Sequence, residues 1–134
     1  MTVRLTVVGC SGSFAGPDSP ASCYLLETEH EGRTWRIVLD LGSGALGALQ
    51  RHTDPLALDA VVLSHLHFDH MSDMLPMQYA LQFAGRKYPL PVFAPERPER
   101  VRALLENPYC DLFSHSDITL QEMRISFIPA VHPV

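Results

Sequence analysis

The segment Asp59-Ala-Val-Val-Leu-Ser64-His65-Leu66-His67-Phe68-Asp69-His70 sets three imidazoles and a carboxylate directly behind a hydrophobic run. Residues 58–63 are nearly all apolar, which suits a strand buried on both faces of a sheet. The polar bend at 64–70 ends that strand. On an extended segment, side chains two apart point the same way with Cα atoms about 6 to 7 Å apart. His65 and His67 can therefore grip one ion while Leu66 turns into the core. Asp69 and His70 stand where a helix is expected to begin at Met71, within reach of a second ion. The spacing suits two metals about 3.5 to 4 Å apart that share a nucleophilic water. The alternative, four unrelated polar residues in a surface loop, does not account for their position behind an apolar strand.

Outward from this bend, the chain opens with a β-branched strand at 3–8 and a loop at 9–20 rich in Gly, Pro and Ser. Strands are expected at 22–28 and 34–39, joined by a turn at 29–33, so the opening is a β-meander. A helix follows at about 44–52, closed by Asp54-Pro55. Met74, Leu75, Met77, Gln78 and Leu81 recur at helical spacing and predict an amphipathic helix over 71–83, with Gly85 as its stop. Met71, Met74 and Met77 read as core filling on that helix. A strand at 88–94, a short helix at 97–106 and two short strands at 116–121 and 123–128 complete the order. This is an α/β pattern whose last strand has no covering helix, which leaves apolar surface on the sheet. With no repeat, linker or low-complexity tract, residues 1–134 are expected to form a single domain, and an incomplete one. Gly42-Ser-Gly44 lacks the lysine of a nucleotide-triphosphate loop and reads as a tight turn. His132, before Pro133 at a strand end, reads on its own equally well as a ligand or a loop residue.

Composition narrows the function classes. With 46% apolar and 19% charged residues, the chain is of ordinary globular type. A formal charge of −5, from 10 Lys plus Arg against 15 Asp plus Glu, gives no basic footprint for nucleic acid or an anionic membrane. The opening residues run straight into a strand pattern without the apolar core of a signal peptide, and no run reaches membrane-spanning length. Cys10, Cys23 and Cys110 form no CxxC pair, which argues against a disulfide scaffold and a thiolate zinc knuckle. A reducing cytoplasm is the expected location.

The string His65-x-His67-x-Asp69-His70 resembles the signature of the metallo-β-lactamase superfamily. Gly9-Cys-Ser-Gly-Ser13 after the first strand, the Asp40-Leu-Gly-Ser-Gly44 turn and Ser64 resemble its phosphodiesterase and tRNA 3′-processing branch. Ser-Pro-Ala-Ser-Cys-Tyr-Leu at 19–25 is most similar to actinobacterial proteins related to cyclic-nucleotide phosphodiesterases. The resemblance implies an α/β fold, the N-terminal half of a four-layer αββα domain, with a mixed sheet and helices on one face. It implies two divalent metal ions, Zn²⁺ foremost, with Mn²⁺ or Fe²⁺ as alternatives. His65, His67 and His132 would hold the first ion. Asp69 and His70 would hold the second, and Asp69 would also orient or deprotonate the attacking water. Asp40 would accept hydrogen bonds from a ligand imidazole or from the motif's backbone, with Ser64 beside it. Ser11, Gly12 and Ser13 of the first loop and Ser43 of the turn would meet the substrate. The family's bridging aspartate and further histidine ligand have no counterpart up to residue 134. The implied activity is metal-dependent hydrolysis of a small nucleotide phosphodiester, with a 3′,5′-cyclic nucleotide as the best candidate. The alternatives are a tRNA 3′-end processing endonuclease and an inactive, partial metal-binding fragment that self-associates. The missing half of the site would be supplied by a C-terminal half, or the uncovered face would be buried in a homodimer.

Overall fold

The computed structural model describes residues 2–130. Its framework is a sheet of six strands in the order β1 to β6. Strands β1 (Val3–Gly9), β2 (Cys23–His30) and β3 (Arg33–Leu39) form the antiparallel meander. The β2–β3 hairpin closes through Glu31 and Gly32, both at positive φ (51° and 77°), the backbone of a two-residue turn that matches the strand twist. From there the sheet becomes parallel, through β4 (Ala60–Val62), β5 (Leu90–Phe93) and β6 (Cys110–Phe113). The crossovers carry α1 (Ala45–Leu49) with a 3-10 turn (Pro55–Ala57), α2 (Phe68–Met71) with α3 (Met74–Leu81), and α4 (Glu99–Ala103).

The central strand β4 is buried throughout, as its apolar run requires. On one face, Leu25, Val38, Val61 and Val92 pack against Leu41, Leu49, Met71, Met74, Met77 and Leu81 of the helical side. The three methionines are all core residues. On the other face, Ile37, Ala60 and Val62 are covered by Ile118 and Met123. Those two residues belong to a separate hairpin, β7 (Ile118–Leu120) and β8 (Met123–Ile125), which forms a second sheet. Helices therefore lie on one face of the mixed sheet and the start of a second sheet on the other. Leu5 pairs with Leu26, and Leu26 with Ile37, so β1 presents this second face too, with Val3, Leu5 and Val7 exposed along it.

Three differences from the sequence reading have physical causes. The helix expected over 71–83 is two helices, the first starting at Phe68 inside the bend. Pro76 has no N–H to give to the carbonyl four residues back, so one continuous helix cannot pass it. Asp73 at the break instead serves its neighbours: its N–H donates to the Leu41 carbonyl and its carboxylate accepts from the Leu46 N–H at 2.8 Å. Strand β6 is absent from the sequence reading because its four residues include Asp111 and carry too little periodicity; pairing with β5 creates it. The last two strands fold back over the centre of the second face, so the apolar surface left uncovered there lies on β1, at Val3, Leu5 and Val7, rather than spread over the sheet. Among the described residues no helix is long and apolar enough to cross a membrane.

Glu27, buried on β2, lies between Arg4 and Arg36, with oxygen-to-nitrogen distances of 3.1 and 2.9 Å. Burial alone would raise its pKa, but hydrogen bonds from Arg36 and Arg4 prevail and hold the carboxyl below its ordinary range. A depressed carboxyl adds stability above its unfolded value of about 4.3, and that stability is lost as pH falls through the folded value. Glu27→Gln is expected to flatten the acid limb of stability below about pH 5 and to cost about 1–3 kcal/mol at neutral pH. Urea unfolding of both proteins across pH 3 to 7 measures it.

Candidate metal centre

Because β3 and β4 are parallel neighbours, the residue after β3 and the bend after β4 emerge at the same edge of the sheet. The residue after β3 is Asp40. Its N–H donates to the Val62 carbonyl at 2.8 Å, and its φ of 63° lies in the left-handed region that Asp tolerates better than most side chains. This turns the carboxylate under the bend, where it is buried. Oδ1 accepts from the Ser64 N–H at 2.7 Å. Oδ2 accepts from the Ser64 hydroxyl at 2.8 Å, the Ser22 hydroxyl at 3.3 Å and His70 Nδ1 at 2.6 Å.

The backbone reinforces this arrangement. The Leu41 N–H donates to the His70 carbonyl at 2.8 Å, and the Gly42 N–H donates to the Ser22 carbonyl at 2.9 Å. Gly42 sits so close to the bend that a Cβ there would overlap the Asp69 carbonyl oxygen and the Ala21 methyl. The Gly42-Ser-Gly44 segment is thus a tight turn docked on the motif.

The hydrogen bonds fix which ring nitrogens carry protons. A carboxylate only accepts, so His70 Nδ1 bears hydrogen and donates to Asp40. The single Ser64 hydroxyl proton also goes to Asp40, so Ser64 Oγ must accept from His65 Nδ1, 3.0 Å away. One carboxylate therefore sets both imidazoles to present Nε2 as the electron-pair atom. The His65 ring lies 4.1 Å from that of His70 and 4.8 Å from that of His67, centroid to centroid. His70 Nε2 is 3.3 Å from Asp69 Oδ2. With Nδ1 holding the proton of a neutral ring, these are two electron-pair donors face to face, an arrangement that calls for a shared cation or a second ring proton. Two ligands about 2.1 Å from one Zn²⁺ at the tetrahedral angle would stand about 3.4 Å apart. The donors here fit such an ion. Among the described residues, however, no three His, Cys, Asp or Glu side chains gather closely enough to hold an ion unaided.

The nearby thiol is not part of the donor set. Burial first, then the charges of Asp40 and Asp73, push the Cys23 thiol up to about 12, so it stays protonated at neutral pH.

Of the residues singled out in the sequence, His65, His67, Asp69, His70, Asp40 and Ser64 come together here. Asp69 and His70 belong to the first turn of α2 rather than preceding the helix, because His67 already acts as its N-cap. His132 lies outside the described residues. Ser11, Gly12, Ser13 and Ser43 are exposed. Ser11 spends its hydroxyl on the Ser19 carbonyl at 2.6 Å, and Ser43 accepts from the Ala21 N–H. The first loop is therefore braced on itself, with Pro20 and Ala15 beside Gly44. Ser22, Gly42 and Asp73 were not apparent as site residues, since each acts through tertiary neighbours; only the paired glycines of the 42–44 turn hinted at a close approach.

The sequence profile of the metallo-beta-lactamase superfamily matches residues 16–133. The chain belongs to this superfamily. An uncharacterised protein of Mycobacterium tuberculosis is 49% identical over 108 residues, which cover 81% of this chain and 34% of that protein. YhfI of Bacillus subtilis, a probable metallo-hydrolase, is 30% identical over 98% of this chain and 56% of its own length. The crystal structure of YhfI superposes with a TM-score of 0.86 at 29% identity, covering 98% of this chain and 55% of that one. The fold is shared with a diphosphatase of the PhnP family (TM-score 0.64, 19% identity, 92% of this chain and 55% of that one). It is shared also with the short form of human tRNase Z (TM-score 0.62, 16% identity, 85% and 45%). The chain thus spans about a third to a little over half of its relatives, and its architecture is the N-terminal half of the metallo-β-lactamase fold.

Gly42→Ala is expected to cost about 1–3 kcal/mol because the Asp69 backbone must move. Gly47→Ala, in α1 with open space around the new methyl, is expected to be neutral or stabilising by up to about 1 kcal/mol. Urea melts of the two variants beside the parent provide the comparison.

Proposed function

We propose that this chain carries the metal-binding half of a phosphodiester hydrolase that acts on small nucleotides, with 3′,5′-cyclic nucleotides as the best candidates. The observation that supports this most is the Asp40 network, which sets Nε2 of His65 and His70 as electron-pair atoms and stands beside the Asp69 carboxylate. We assign His65, His67, Asp69 and His70 as ligands of two divalent ions, Zn²⁺ foremost, with His132 as a further ligand and the remaining donors supplied by a C-terminal half of the kind its relatives carry. When bound, such ions lower the pKa of a water to near neutral and stabilise charge developing on a phosphoryl oxygen.

The chain's own residues then have separate tasks. Asp40 holds the two Nδ1–H groups, directly and through Ser64, so that neither ring can rotate its lone pair away. Asp69 has an oxygen at the His70 edge of the cluster, where it can orient an attacking water and accept its proton. Hydroxide attack on phosphorus in line with the ribose 3′ oxygen would form the new P–O bond as the P–O3′ bond breaks, and the departing 3′ oxygen would take its proton from solvent water. We assign the exposed Ser11, Gly12 and Ser13 of the first loop and the exposed Ser43 to contacts with the substrate. The net charge of −5 disfavours a long RNA, whose backbone needs cationic surface. The names of two fold relatives, a diphosphatase and a tRNase, accord with phosphoester chemistry.

The test is elemental analysis and hydrolysis of 3′,5′-cyclic AMP by the parent gene product, before and after chelator dialysis. About two divalent ions per chain, with turnover lost on chelation and regained with Zn²⁺ or Mn²⁺, is the expected result. Turnover that survives chelation, or cleavage of a β-lactam or thioester with cyclic nucleotides untouched, would overturn it. Asp40→Asn is expected to weaken metal binding about 10–100-fold, and Asp69→Asn to lower kcat by about 100-fold or more. Chelator competition and steady-state kinetics on the same preparations check both.

A further inference from the structure

Leu63, the residue that follows β4, has a carbonyl that the sheet does not satisfy. The Val62 carbonyl accepts from the Asp40 N–H and the Leu63 N–H donates to the Phe93 carbonyl, but the position after β5 that would next donate to this side is Pro95, which has no N–H. The fully buried Leu63 is left with its carbonyl at the threshold of the bend. His115, from the connection between β6 and β7, reaches it with Nε2 at 2.7 Å. A carbonyl only accepts, so Nε2 carries the hydrogen and donates. The other control on the ring is Phe127, just past β8, which stacks on it with centroids 4.0 Å apart and planes inclined by 11°. The stack fixes the plane of the imidazole, and the hydrogen bond fixes its reach.

We propose that His115 is a positioning residue for the metal centre, a strut that sets the end of β4 against the segment following β8. The inference rests on the reading of the bend as a metal centre for one of its two readouts. His65 is two residues after Leu63, and His132 is five residues after Phe127 in the sequence. One side chain thus touches the lead-in to both parts of the assigned donor set. Its Nε2–H is committed to the Leu63 carbonyl, and the role assigned to His115 is to hold that carbonyl in place. Loss of the N–H donor frees the Leu63 carbonyl to tilt, and with it the plane of the Ser64 peptide whose N–H holds Asp40. Loss of the aromatic stack frees the segment after β8.

The test uses the parent gene product and three variants: His115→Ala, His115→Gln, whose amide N–H can still reach the Leu63 carbonyl, and His115→Phe, which stacks but cannot donate. Zn²⁺ affinity is measured by chelator competition, and backbone amide exchange is followed over residues 64–67. His115→Ala and His115→Phe are expected to bind Zn²⁺ about 10–100-fold more weakly and to exchange faster over 64–67, with Tm changed by only a few degrees. His115→Gln is expected to recover most of both. Parent-like affinity and exchange in all three variants, or His115→Phe performing as well as His115→Gln, would overturn the proposal. Should the parent bind no Zn²⁺, the proposed metallohydrolase function fails, and the exchange data still decide whether His115 braces the bend.

Discussion

The site depends on one buried carboxylate. Asp40 holds a left-handed backbone conformation that most residues avoid, and in return its two oxygens take four hydrogen bonds from Ser22, Ser64 and His70. An ionised carboxylate so far from water is tolerable only when its lone pairs are occupied, and here they are. The same bonds orient two imidazoles. Removing Asp40 would therefore unsettle the turn after β3, the start of the bend and the tautomers together.

The sheet makes this economy possible. A meander alone would send β3 and its neighbour in opposite directions; the switch to parallel pairing at β4 brings the ends of both strands to one edge. The α1 crossover is short and close-fitting, with Asp73 bonding its first turn and Gly42 admitting the Asp69 carbonyl. Ligand sites in open α/β sheets recur at this carboxyl edge for the same geometric reason. The second face tells a complementary story. Hairpin β7–β8 covers Ile37, Ala60 and Val62, whereas Val3, Leu5 and Val7 on β1 stay exposed, in keeping with a chain that spans about half of YhfI.

Much of this was legible from residue order alone. The meander, the buried β4 strand and the methionine-filled helical face follow from periodicity and turn chemistry, and the motif at 65–70 announces its composition. What was hidden shares one character: it is decided by partners remote in sequence. Strand β6 exists because β5 offers it an edge. The break at 72–73 reflects Pro76 together with the uses that Leu41 and Leu46 make of Asp73. Ser22 and His115 are ordinary residues in the sequence, and only the fold aims them at Asp40 and at the Leu63 carbonyl.

The central claim is that Asp40 fixes the imidazoles with Nε2 as the donor atom, and the most direct measurement is long-range ¹H–¹⁵N correlation NMR of the histidine rings in the metal-free protein at about pH 8. The expected spectrum has His70 and His65 as Nδ1–H tautomers, with the His70 proton shifted downfield by its 2.6 Å bond to Asp40, and loses that shifted resonance in Asp40→Asn. A His70 ring protonated at Nε2, or rapidly exchanging tautomers indifferent to Asp40, would contradict the account.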